Sequence, residues 1–138
     1  MKITKVEVTV PAGQYVLGDP CYVVPDRLWN ELLNSCNCFN SPIGVISKGG
    51  NKNYVLGFGT CWGDGYYRGS NGLGYAVDAG LIGLVPIDIV ENVSEFEDFI
   101  VNFDSPTVCK SNGNGKLSFG SIVIDTDPEY EPEEDEND

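Results

Sequence analysis

The 138-residue chain contains no histidine, and that single absence removes a large block of chemistry. Without an imidazole there is no Ser-His-Asp or Cys-His nucleophile, no His-ligated zinc and no imidazole proton shuttle. Cations are scarce too: 8 Lys and Arg face 21 Asp and Glu, for a net charge of −13. They are scattered from Lys2 to Lys116 and form no basic stripe, so direct nucleic-acid binding is not expected. No apolar run approaches the ~20 residues of a membrane span, and no membrane role is expected. Met1 opens directly on a strand-like run, without the basic, apolar and small-residue succession of a secretory signal.

The five cysteines, Cys21, Cys36, Cys38, Cys61 and Cys109, are an odd set with no framework spacing. Free thiols in a reducing cytosol are the simplest account. Zinc is the rival. Cys36-Asn37-Cys38 is a C-x-C, and further ligands would have to come from Cys21 and Cys61, whereas tetrahedral sites prefer a longer spacing. No metal and no cofactor are expected.

The length suits one domain. Nine of the acids, and no base, fall between Asp125 and Asp138, so residues 1–124 carry only −4. Two prolines and mutually repelling carboxylates deny 127–138 the apolar burial that offsets ordering entropy. The expected division is a β-rich domain over 1–126 and a disordered acidic tail over 127–138. A solubilising role suits such a tail; docking on a basic partner or mimicry of nucleic-acid phosphates is the functional alternative.

Seventeen glycines punctuate short apolar segments. Val6, Val8 and Val10 alternate with polar residues over Lys2–Val10, a half-buried strand. Gln14–Leu17 is a second strand, ending at Gly18-Asp19-Pro20. Asp26 reads as the N-cap of a helix through about Asn34, with Leu28, Leu32 and Trp29, Leu33 at i,i+4 spacing. Ile43–Ser47 and Tyr54–Thr60 flank a turn over 48–53. Gly74–Asp78 and Leu81–Val85 follow, and Pro86–Val90 suits a single helical turn. A strand is expected near Asp98–Phe103, although Phe96, Phe99, Ile100 and Phe103 also fit helical spacing. Thr107–Ser111 and Lys116–Asp125 pair across Asn112-Gly113-Asn114-Gly115. The predicted fold is mainly β: a compact antiparallel β-barrel or sandwich with one packed helix near residues 26–34.

Three aspartates sit where glycine or proline shapes the backbone: Asp19, Asp64 in Gly63-Asp64-Gly65, and Asp78 before Ala79-Gly80. Turn capping is their ordinary role. If they converged they could bind a divalent cation or act as an acid/base pair. Near them in sequence lie Tyr15, Tyr22, Trp62, Tyr66, Tyr67 and Tyr75. Tyr15, Tyr22 and Tyr75 suit a small β core. Trp62, Tyr66 and Tyr67 suit a pocket or an interface, with Arg68 as a clamp for phosphate or carboxylate. Cys21 and Cys61 lack a histidine to activate them. Gly72-Leu73-Gly74 and Gly80-Leu81-Ile82-Gly83 precede no credible helix and fail as phosphate loops.

The stretches Gly18-Asp19-Pro20-Cys21-Tyr22-Val23, Gly63-Asp64-Gly65-Tyr66-Tyr67 and Tyr75-Ala76-Val77-Asp78-Ala79-Gly80-Leu81-Ile82-Gly83-Leu84-Val85-Pro86 resemble a family of small, uncharacterised proteins encoded by tailed phages and prophages. The resemblance implies a viral protein working in the host cytoplasm and carries no settled activity; the acidic tail is not part of the pattern. The expectation is a non-enzymatic accessory protein, with counter-defence among its roles, that binds a host protein or a small signalling ligand. Trp62, Tyr66, Tyr67 and Arg68 would make the contact, with Asp19, Asp64 and Asp78 shaping it. The alternatives are a metal-dependent hydrolase built on the aspartates, and a virion component or nucleic-acid mimic acting through the tail.

Overall fold

A computed structural model describes residues 5–126 apart from Phe39 and Trp62. The acidic tail and the contact residue Trp62, both singled out by the sequence, therefore lie outside the described residues. Among those residues, eleven strands form three antiparallel sheets. The larger sheet takes β2 (Gly13–Gly18), β3 (Ile43–Lys48), β4 (Asn51–Gly59), β7 (Leu81–Pro86) and β8 (Ile100–Phe103), in the spatial order β3-β4-β7-β2-β8. The second has β1 (Val6–Val10), β9 (Thr107–Ser111), β10 (Lys116–Phe119) and β11 (Ile122–Asp125), ordered β1-β9-β10-β11. The third is a hairpin of β5 (Gly65–Arg68) and β6 (Gly74–Val77).

Strand alternation sorts the apolar residues into two cores. On β2, β4 and β7, Tyr15, Leu17, Leu56, Phe58, Ile82 and Leu84 face Leu117, Phe119 and Ile124 of the second sheet. Val16, Val55 and Val85 point the other way, onto Leu28 and Leu32 of the helix α2 (Asp26–Ser35). Buried on both faces, these central strands carry continuous apolar runs, Tyr15-Val16-Leu17 and Leu84-Val85 among them. The hairpin adds Tyr67, Tyr75 and Val77 to the inter-sheet core. The result is a sandwich with one helix against its outer face; no closed barrel forms among the described residues.

Local chemistry refines several boundaries. Asp26 is not a cap: Pro25 holds the cap position without a side-chain bond, and Asp26 is the first helical residue, where a carboxylate still complements the helix dipole. The β3–β4 turn shortens to Gly49-Gly50, with φ of +59° and +84°, the geometry of a two-residue hairpin loop that glycine adopts freely. The 116–125 strand breaks at Gly120-Ser121 into β10 and β11, which pair with each other. The Phe96–Phe103 ambiguity resolves sequentially, with 3-10 turns over Val93–Phe99 and then β8. Ile87–Ile89 forms the expected single helical turn. A four-residue helix, α1 (Pro20–Val23), connects β2 to α2.

Candidate functional site

Asp19 organises the region that carries most of the sequence-selected residues. It is 2% exposed, and both carboxylate oxygens are occupied. Oδ1 accepts the Cys21 N–H at 2.9 Å, capping α1, while Oδ2 accepts the N–H groups of Asp78 and Ala79 at 2.7 and 2.8 Å. One buried side chain thereby ties the start of α1 to the turn between β6 and β7. Charge-assisted bonds of this kind are short and about twice as strong as neutral ones.

The same turn is held from a second side. Thr60 N–H donates to Gly80 O at 3.0 Å, and a side chain added at Gly80 would lie 3.7 Å from Gly63 Cα. Asp64 and Asp78 consequently flank the first rung of the hairpin, Gly65 opposite Val77, and both are exposed. The hairpin's far end is fixed by Ser70 and Val123, joined by Ser70 N–H to Val123 O at 2.8 Å and Val123 N–H to Ser70 Oγ at 2.9 Å.

Alternation then decides what the hairpin shows to solvent. Tyr67 and Tyr75 point inward and are buried; the Tyr67 hydroxyl donates to Gly63 O at 3.0 Å, and Tyr75 accepts from Asn71 Nδ2 at 2.9 Å. Tyr66 and Arg68 point outward beside Gly74 and Ala76. Tyr66 is 66% exposed, and its ring lies across Gly74, where any Cβ would overlap it. Arg68 Nη1 donates to Gly72 O at 3.3 Å, which leaves most of the guanidinium fork facing solvent.

Tyr22 lies on α1, near Asp78 and Ala76. It reads as a core residue in sequence, but the structure exposes 52% of it. Desolvation, and then the nearby Asp78 carboxylate, push its phenol above the ordinary value, so it remains a neutral hydroxyl donor at neutral pH. Beside it opens a cavity of about 150 Å³ lined by Gly18, Asp19, Tyr22, Ala76, Phe96 and Phe99 among others. Phe96 and Phe99 arrive through the 3-10 turns before β8, a connection that no local signal ties to the Gly18-Asp19-Pro20 segment.

The candidate residues therefore divide. Asp64, Tyr66, Arg68 and Asp78 are exposed on or beside one hairpin. Asp19 and Tyr67 lie beneath it as supports, a correction for Tyr67, which reads in sequence as a contact residue. At Cys21, burial first, and then the charge and hydrogen bond of Asp19, push the thiol up to about 12, which works against a thiolate nucleophile. No disulfide forms among the described residues, nor are any three of their Cys, Asp or Glu side chains grouped to hold a metal ion. A three-aspartate metal site would need Asp19 released from its three N–H partners. Comparison with known proteins finds no matching family model, no matching curated relative and no matching solved structure.

Proposed function

We propose that this chain is a non-enzymatic accessory protein of viral origin, active in the bacterial cytoplasm, which binds a host protein through the outer face of the β5–β6 hairpin. The carrying observation is that Tyr66 and Arg68 both face solvent from a hairpin whose backbone is held at both ends, with Tyr22 exposed on α1. Tyrosine and arginine are the side chains that most often dominate protein interfaces, because they combine large contact area with directional hydrogen bonds. Rigid anchoring lowers the ordering cost that binding must offset. The adjoining cavity of about 150 Å³ is small against the ~300–1,000 Å³ of ordinary ligand pockets. That size favours a macromolecular partner over a small signalling molecule at this face.

The test is site-specific photo-crosslinking in a bacterial host. A benzophenone amino acid at position 66 should trap one defined protein. The same group at Val108, an exposed position on the second sheet, should trap nothing in common with it. Adding Arg68→Ala to the position-66 probe should abolish the adduct. Identical adducts from positions 66 and 108 would rule out the hairpin as the recognition face.

A further inference from the structure

A second, larger concavity lies away from the hairpin and shares no lining residue with the Tyr22 cavity. Ile43, Leu56, Pro86 and Tyr15 sit on four neighbouring strands, β3, β4, β7 and β2, and line one end of the inter-sheet face. The register sets Ile43 opposite Leu56 and Tyr15 opposite Pro86, while Leu56 faces Leu84, so the lining steps by two residues between β4 and β7. Thr9, Val10 and Pro11, where the chain leaves β1 and crosses between the sheets, form one wall. Tyr54, 52% exposed, forms another, and the enclosed volume is about 410 Å³. That falls within the range of small-molecule sites, roughly 300–1,000 Å³.

The lining chemistry narrows the ligand. Two tyrosine rings, two prolines and three aliphatic side chains (Val10, Ile43 and Leu56) give flat, stiff walls that suit a planar apolar body. Lys52 is the single charged group in the lining, and no carboxylate joins it. It shares the β4 face with Tyr54 and Leu56 by two-residue alternation, which places it at the mouth. Among the described residues its ammonium makes neither a hydrogen bond nor an ion pair. Elsewhere on this surface Arg27 pairs with Glu91, and Lys48 donates to Asp88 O at 3.2 Å. Lys5, Lys110 and Lys116 also lack such contacts among the described residues; Lys52 differs in standing over an apolar floor, in a chain of net charge −13. We infer that this cleft is a binding site for a flat aromatic molecule bearing one anionic group, its rings on the Tyr15–Leu56–Pro86 floor and its anion on Lys52.

An amide NMR titration of the full chain with 2-naphthoate and its neutral counterpart 2-naphthamide tests the assignment. Both should shift resonances of Thr9, Tyr15, Ile43 and Tyr54. The carboxylate should bind tighter by up to roughly fivefold, the upper end for an exposed charge pair. Lys52→Gln, at an exposed strand position, should equalise the two probes without weakening the amide. Thr9→Trp at the rim should block both. Shifts confined to other surfaces, or a carboxylate preference that survives Lys52→Gln, would overturn it. So would the absence of any shift at about 5 mM probe, a concentration that fills most of a site with a Kd of even ~1 mM. None of these outcomes bears on the hairpin face.

Discussion

Among single residues, Asp19 carries the most structural consequence. Its carboxylate accepts three backbone N–H groups inside the protein, linking segments 59 and 60 residues apart. Asp19→Asn keeps the shape but removes the charge and turns an amide donor toward N–H groups. Loss of charge-assisted bonds, together with stranded donors, should cost about 2–4 kcal/mol, read as a lowered urea midpoint. Beside it, Cys21 makes a pH prediction. Its thiol is pushed from 9.0 up to about 12, and that of the buried Cys109 from 9.0 up to about 11. In both, the folded state holds its proton more tightly than the unfolded state. Their contribution is therefore complete below pH 9 and is lost as pH rises toward 11–12. Stability should fall across that alkaline window, and the double variant Cys21→Ala/Cys109→Ala should show a shallower decline in denaturation midpoints measured from about pH 8 to 11. In the sequence, Asp19 reads as a turn residue beside glycine and proline, which is half its role. The bonds to Asp78 and Ala79 span the fold, and no local pattern announces them.

Elements differ in how firmly their glycines are fixed, and the β5–β6 hairpin contrasts with the sheet centre. At Gly83 a Cβ would overlap Leu56 O and fall 2.8 Å from Gly57 Cα, both backbone atoms of a paired strand. Gly83→Ala must therefore separate β4 from β7 at the middle of the larger sheet. It should destabilise by more than ~3 kcal/mol or prevent folding, as measured by chemical denaturation and soluble yield. At Gly74 the obstruction is the exposed Tyr66 ring, which can swing away. Gly74→Ala should cost less than ~1 kcal/mol yet release Tyr66 from the hairpin, visible as loss of the upfield ring-current shift at residue 74 in NMR. That Tyr66-Tyr67 sits between glycine turns as a candidate contact is legible in sequence. Which tyrosine faces the core is not, since the pattern Gly65-Tyr66-Tyr67-Arg68 has no polar–apolar contrast at its centre. The exposure of Tyr22 is hidden for a related reason: a four-residue helix has too few positions for its buried side to show in the sequence.

Across the whole molecule, the mainly β class and the packed helix follow from glycine spacing and from the apolar face of α2. Sheet order does not, because β6 and β7 are consecutive in sequence yet belong to different sheets, joined through the turn that Asp19 holds. The end of the described chain is also tied into the body. Thr126 is fully buried; its N–H donates to Gly115 O at 2.8 Å, and its Oγ1 accepts the Cys61 N–H at 2.9 Å. Thr126→Val preserves volume but orphans that donor, and should cost about 1–3 kcal/mol in thermal or urea unfolding. Deleting 127–138 removes eight acids and leaves a net charge of −5. Partner binding at the hairpin should survive that deletion, whereas its loss would transfer recognition to the tail.

The most direct test is the affinity of purified variants for the protein trapped at position 66. Tyr66→Ala and Arg68→Ala should each weaken binding about tenfold or more, as truncated interface anchors do, while Val108→Ala and Lys52→Gln leave it unchanged. Equal affinities across all four variants would contradict a recognition surface on the outer hairpin face.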